Sequence, residues 1–202
     1  MKLSTVLAAG VAALGLTFAA AGAQAATLYS ASSPTAEMES PASTSISFNA
    51  AAGQGLTSFR INGFRSLDGA GYYEDTFTLS LNGTAIYSGT WNLGGGGDNV
   101  VYLAPAGSST NSVYNGYYQG GYTDISVPLS LIGGQNTLTF SFASTGYAGP
   151  QGLGDEAWSL SNVQVSGVSA VPEPATWAMM IIGFGAIGAT LRDTRRKGVV
   201  AV

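Results

Sequence analysis

The sequence contains no cysteine and no histidine in 202 residues, and only 9 % of it is charged. Without cysteine no disulfide can help a small core. Without histidine or cysteine, Ser-His-Asp and Cys-His nucleophilic triads and the common zinc sites are excluded. Basic residues are almost missing from the middle of the chain. Between residues 26 and 170 the bases are Arg60 and Arg65, against Glu37, Glu39, Asp68, Glu74, Asp75, Asp98, Asp124, Asp155 and Glu156. A segment with that balance repels phosphates, so nucleic acid is excluded as its partner. Long apolar runs are also missing from this segment and occur only at the two ends.

The first run begins the chain. Lys2 supplies a short positive region, Val6 to Ala21 is apolar, and Ala23-Gln24-Ala25 is a small-x-small cleavage site. This order predicts a secretory signal peptide over 1–25, removed by signal peptidase, and hence an exported protein. A retained anchor is the competing reading; the distance of the cleavage site from the apolar run favours removal.

The second run lies at the other end. Pro172-Glu173-Pro174 is followed by Trp177-Ala178, an uncharged stretch to Leu191, and the cations Arg192, Arg195, Arg196 and Lys197. A helix over 176–191 would be about 24 Å long at 1.5 Å per residue, near the lower limit for a bilayer core of about 30 Å. Trp177 at one interface and snorkelling cations at the other predict a transmembrane helix with its C-terminus in the cytoplasm. Pro172 and Pro174 keep the preceding residues extended and accessible to a processing enzyme.

Residues 171–202 resemble the PEP-CTERM sorting signal, in the variant where Pro172-Glu173-Pro174 is followed by Trp177-Ala178. The resemblance implies recognition by an exosortase, transient membrane anchoring through the helix, and delivery to the surface of an exopolysaccharide-producing bacterium. Asp193 inside the basic cluster and the extension Gly198 to Val202 depart from that pattern.

Residues 26–170 form one predicted domain, joined to the tail by a linker of small residues from Ser166 to Val171. The 29 glycines and the low charge point to many tight turns. Thr76 to Leu81 alternates strictly, Asn82-Gly83 follows, and Thr84 to Tyr87 resumes, which predicts a hairpin with a type I′ turn. The same period recurs over 45–48, 56–64, 100–103, 125–129, 138–142 and 158–165. Some eight strands predict an all-β fold, a two-layer antiparallel β-sandwich of jelly-roll type. Phe77, Leu79, Leu81, Ile125, Val127, Leu138, Phe140, Phe142, Leu160, Val163 and Val165 are its expected core.

With triads excluded, carboxylates are the remaining chemistry. Glu74-Asp75 and Asp155-Glu156 each precede a strand, and paired acids can hydrolyse glycosides. Neighbouring strand residues point to opposite faces, so neither dipeptide is a pair; Asp75 with Glu156 would have to converge in space. Asp155, Glu156 and Asn162 could instead hold calcium, which takes oxygen ligands from loops. Residues 154–163 resemble the closing strand of secreted lectin-like sandwiches; the bland alternative places Trp158 in the core and Asn162 in a ladder or turn. No other cofactor is expected.

Tyr114, Tyr117, Tyr118 and Tyr122 fall in a Gly-rich stretch with Asn115 and Gln119, and Tyr72 and Tyr73 in another. A tyrosine offers an apolar face and a polar tip, which suits sugar rings, although such rings also cover the ends of sandwiches. The expected function is a non-catalytic surface or matrix protein associated with exopolysaccharide. The alternatives are a carbohydrate-binding module acting through these tyrosines, and a carboxylate glycoside hydrolase.

Overall fold

The structure, a computed structural model, describes residues 25–167 and 174–197. The signal peptide up to Gln24, including Ala23, and residues 168–173, with Pro172 and Glu173 of the sorting motif, lie outside the described residues. Among the described residues eleven strands form two antiparallel sheets. The strands are β1 (Ala26–Ala31), β2 (Met38–Glu39), β3 (Ala42–Ala50), β4 (Gly53–Arg65), β5 (Asp75–Leu81), β6 (Thr84–Thr90), β7 (Val100–Leu103), β8 (Ser109–Tyr114), β9 (Gly121–Leu131), β10 (Gly134–Ser144) and β11 (Glu156–Gly167). One sheet has the order β1-β11-β4-β9-β8, with β2 also on β11; the other runs β3-β10-β5-β6-β7.

The alternating runs become strands because each can bury one face. All eleven expected core residues are buried, and Phe59, Ile61, Tyr87 and Trp158 join them. Rings knit the two layers together. Phe59 of one sheet meets Phe140 of the other edge-on with centroids 5.0 Å apart, and Phe142 meets Trp158 at 5.1 Å. Trp158 also donates its indole N–H to Glu39 O at 3.0 Å, so its one polar atom is satisfied inside the core.

The hairpin β5–β6 has the expected turn: Asn82 (φ 51) and Gly83 (φ 82) both take the positive dihedrals of type I′. Along β11, strict alternation would send Val163 and Val165 to the face opposite Leu160. The register shifts between Ser161 and Gln164, and Asn162 (φ 52) takes up the extra residue, so all three valine and leucine side chains face inward.

Three differences from the sequence reading have physical causes. Strands β1, β2 and β8 carry no strong apolar alternation and are held by pairing to β11 and β9 at sheet edges. Ser166 and Gly167 belong to β11, paired with Thr27 and Ala26, and not to the linker. The expected transmembrane helix over 176–191 is not supported. The helix α1 spans Pro174–Lys197, yet among the described residues no helix is long and apolar enough to cross a membrane. Its uncharged part stops at Arg192, and Arg192, Asp193, Arg195, Arg196 and Lys197 occupy the last turns.

Candidate functional site

Antiparallel pairing places the ends of β4, β6, β8 and β10 and the starts of β5, β7, β9 and β11 at one end of the sandwich. The four connections there, residues 66–74, 91–99, 115–120 and 145–155, therefore meet. They are bonded to one another along the main chain. Leu67 N donates to Leu93 O (3.2 Å), Gly69 N to Gly96 O (2.8 Å), Tyr118 N to Gly94 O (2.7 Å), Gly120 N to Arg65 O (3.0 Å) and Ser66 N to Asp155 O (3.1 Å). Leu67, Trp91 and Leu93 anchor these loops by burying their side chains in the core.

Close approach of the loops explains the glycines at 94, 95 and 97. Gly94 has φ 102, and a Cβ there would collide with Arg65 O; at Gly95 it would collide with the Asp68 carboxylate. Arg65 (φ 61) and Tyr118 (φ 58) hold left-handed conformations that residues with side chains rarely adopt. Two such residues at one place mark a backbone constrained by its surroundings.

Between the loops lies a cleft of about 360 Å³ lined by Ser66, Asp68, Tyr73, Gly95, Gly96, Tyr117, Tyr118, Gln151 and Asp155. Tyr117 and Tyr118 form an edge-on pair with centroids 4.9 Å apart, and Tyr117 is 71 % exposed. On the other rim Tyr73 meets Tyr72 edge-on at 5.0 Å, and Tyr72 stacks with Tyr147 at 5.9 Å. Five exposed rings thus surround one end of the domain.

Carboxylates lie between and beneath the rings. Asp68 accepts from Gly96 N (2.6 Å) and from the Ser66 hydroxyl (3.0 Å), and burial pushes its pKa up. The neighbouring Asp155 carboxylate raises the Tyr118 pKa. Deeper, Asp75 and Glu156 are both fully buried and do converge, through Ser144. Ser144 Oγ lies 2.9 Å from Asp75 Oδ1, 2.8 Å from Glu156 Oε2 and 2.9 Å from Ser40 Oγ. Burial, then the negative charge of Glu156, holds the Asp75 pKa up at about 7. The Glu156 pKa is raised as well, chiefly by burial.

The residues singled out from the sequence are divided by the fold. Tyr117 and Tyr118 line the cleft together with Tyr73. Tyr114 ends β8, exposed, and does not line it. Tyr122 sits on β9 beneath Arg60, whose guanidinium carbon is 3.8 Å from the ring centroid and whose two nitrogens bond Asp124 at 2.7 Å each. Asn162 is not brought to Asp155 and Glu156. It lies six residues along β11 from Glu156, about 20 Å at strand rise, beside Ser30 and Ser32 in a groove on the outer face of the larger sheet. The described residues include no group of three acids placed to hold a metal ion. Tyr147, Gln151 and Ser144 escaped sequence reasoning, since each is a single polar or aromatic residue in a loop or at a strand end.

The site and fold define a β-sandwich with an aromatic and acidic cleft at its loop end. The tail gives a more particular identification: residues 170–197 match the PEP-CTERM protein-sorting motif. The motif supports an exported protein, sorted by an exosortase to the cell envelope or surface. No curated protein matches the chain. Among solved structures, it is similar to the EclA C-terminal domain, a sugar-binding protein, at 13 % identity and a TM-score of 0.33 over 79 % of this chain and 89 % of that one. It is similar to a CBM35 from Cellvibrio japonicus Abf62 at 14 % identity and a TM-score of 0.31, over 73 % and 94 % of the two chains. Dimeric latent PorU from Porphyromonas gingivalis aligns at 16 % identity and a TM-score of 0.35, over 72 % of this chain and 13 % of that one. Likenesses at these scores say nothing about a ligand.

Proposed function

We propose that the protein is an exported surface protein whose sandwich domain binds exopolysaccharide through the loop-end cleft, without catalysing a reaction on it. One observation carries this reading: Tyr73, Tyr117 and Tyr118, from two separate loops, line one cleft with Asp68, Asp155 and Gln151. Ring faces stack on the apolar faces of sugars, while carboxylates and amides take their hydroxyl hydrogens. The cleft is shaped by hydrogen bonds between its loops, so little ordering cost is left for binding.

A hydrolytic role gains no support from the acids. Asp75 and Glu156, the cross-pair available for it, are buried beneath the cleft with 1 % and 0 % exposure, and a glycosidic oxygen could not reach between them. The tail supports export to the cell envelope or surface, and in this reading exosortase recognises the Pro172-Glu173-Pro174 motif and signal peptidase removes 1–25.

Titration of the full chain with exopolysaccharide from a producing strain tests the proposal. Tyr117→Ala with Tyr118→Ala is expected to weaken binding about tenfold or more, since each stacked ring contributes on the order of 1 kcal/mol. The melting temperature should stay near that of the parent. Unchanged affinity in this variant would remove the cleft from consideration.

A further inference from the structure

The cleft has carboxylates and no cation. Asp68 and Asp155 line it, Glu156 lies behind Asp155, and neither lysine nor arginine is among its lining residues. Arg65 at the end of β4 is the nearest base along the chain, and its Nη1 is engaged by Leu153 O at 2.7 Å. Asp155 Oδ1 and Glu156 Oε1 are buried out of a ligand's reach, so the acceptors open to the cleft are the rest of the Asp155 carboxylate and the Asp68 carboxylate. Two carboxylates, Asp68 and Asp155, thus line the cleft with no cationic side chain among its lining residues. A half-buried carboxylate at a cleft wall is stabilised by a ligand that brings a positive partner.

Resting on the glycan-binding reading above, we propose that the cleft selects amino sugars, with the protonated amine held between Asp68 and Asp155 and the sugar rings on Tyr73, Tyr117 and Tyr118. An ammonium suits the acceptors available better than a divalent cation. Both oxygens of Asp68 already accept hydrogen bonds, and no three acids of the described residues are grouped to hold a metal. A divalent ion would need six or more oxygens around it, whereas an ammonium has three hydrogens to place on separate acceptors. A uronic acid would bring a second negative charge to the same wall and be repelled.

The test uses three β-1,4-linked oligosaccharides of equal length that differ only at C2. These are the glucosamine oligomer, its N-acetylated counterpart and the glucose oligomer, with the glucuronate oligomer as a fourth probe. Calorimetric titration of the full chain at low salt is expected to give the glucosamine oligomer at least about tenfold tighter than the acetylated and glucose forms, with no heat from the uronate. The preference should shrink as salt is raised toward 1 M, where the screening length falls to about 3 Å. Asp155→Asn and, separately, Asp68→Asn should bring the amine down to the level of the acetylated oligomer. A melt of each variant reports whether it is folded, and the salt series stands without them.

Equal affinity for the amine and acetylated forms would overturn the amine inference and leave glycan binding intact. Binding of none of the four would count against both. Spermine supplies the control for charge alone: if it binds as tightly as the glucosamine oligomer and is unaffected by Tyr117→Ala with Tyr118→Ala, the cleft takes polycations and not amino sugars.

Discussion

Asp75 and Glu156, on opposite sheets, share a single hydroxyl: Ser144 Oγ lies 2.9 Å from one carboxylate and 2.8 Å from the other. Ser40 Oγ lies 2.9 Å from the same atom. Three contacts need three protons, and two hydroxyls carry two. The third comes from a carboxyl group, so one of the two acids holds a proton in the folded state below about pH 7. The raised Asp75 pKa, about 7 under burial and the charge of Glu156, has the same meaning.

This relationship sets the pH dependence of stability. In the unfolded chain Asp75 titrates near 4; in the folded domain it titrates at about 7. Between those values the folded state holds the proton and the unfolded state does not, so stability falls as pH rises and levels off above about 7. Glu156, also raised, acts in the same direction. The expected loss from Asp75 alone between pH 4 and pH 8 is on the order of 4 kcal/mol, at about 1.4 kcal/mol for each pH interval of one between the unfolded and folded titrations. Denaturant melts across this range should show it. Asp75→Asn, whose amide can donate to Ser144 without a charge, should flatten the profile and raise stability at pH 8; a profile rising toward pH 8 would contradict the shared proton.

Phe140→Ala tests the register of the core. Phe140 is fully buried and faces Phe59 across the layers. Truncating a buried phenylalanine typically costs about 3–5 kcal/mol, out of a total of about 5–15 for a domain. The variant should be barely folded at 37 °C by circular dichroism, while Thr139→Ala on the opposite face of β10 should melt nearly like the parent.

Gly94→Ala tests how the cleft is shaped. The residue has φ 102, and a Cβ would strike Arg65 O, while Gly94 O holds Tyr118 N at 2.7 Å. Strain at such a position costs about 1–3 kcal/mol. Glycan affinity should drop along with stability, whereas Gly83→Ala in the exposed turn, where nothing lies within 4 Å, should lower stability and leave affinity unchanged.

Tyr114→Ala is the counterpart to the cleft variants. The residue is exposed at the end of β8 but does not line the cleft. Its loss should alter glycan affinity by less than about twofold, by calorimetry, against about tenfold or more for Tyr117→Ala with Tyr118→Ala.

Mass spectrometry of the surface form tests the sorting reading. The mature protein should lack residues 1–25 and the helix after Pro174. Surface protein that retains Arg195 to Val202 would rule out tail processing. Pro172, Glu173 and Pro174 all replaced by Ala should hold the protein back in cells without unfolding the domain.

The sequence by itself determined what depends on local order. Strict alternation in Thr76 to Leu81 and Leu138 to Phe142 decided which side chains enter the core, because the period of a strand is two and burial accepts only one face. Asn82-Gly83 decided its turn, since both positions need positive φ. The order of motif, apolar stretch and cations decided the sorting signal without reference to any fold.

Only the tertiary structure decided which distant residues meet. Tyr114, Tyr117, Tyr118 and Tyr122 are close neighbours in sequence, yet β8 and β9 leave two in the cleft loop, one at a strand end and one beneath Arg60. Asp155, Glu156 and Asn162 look like a cluster until β11 extends and separates them, while Asp75 and Ser144, far away along the chain, arrive beside Glu156. Strand pairing brings together residues at separations that no local pattern encodes. The bulge at Asn162 and the positive φ of Tyr118 likewise answer to register and to neighbouring loops, not to the residues beside them.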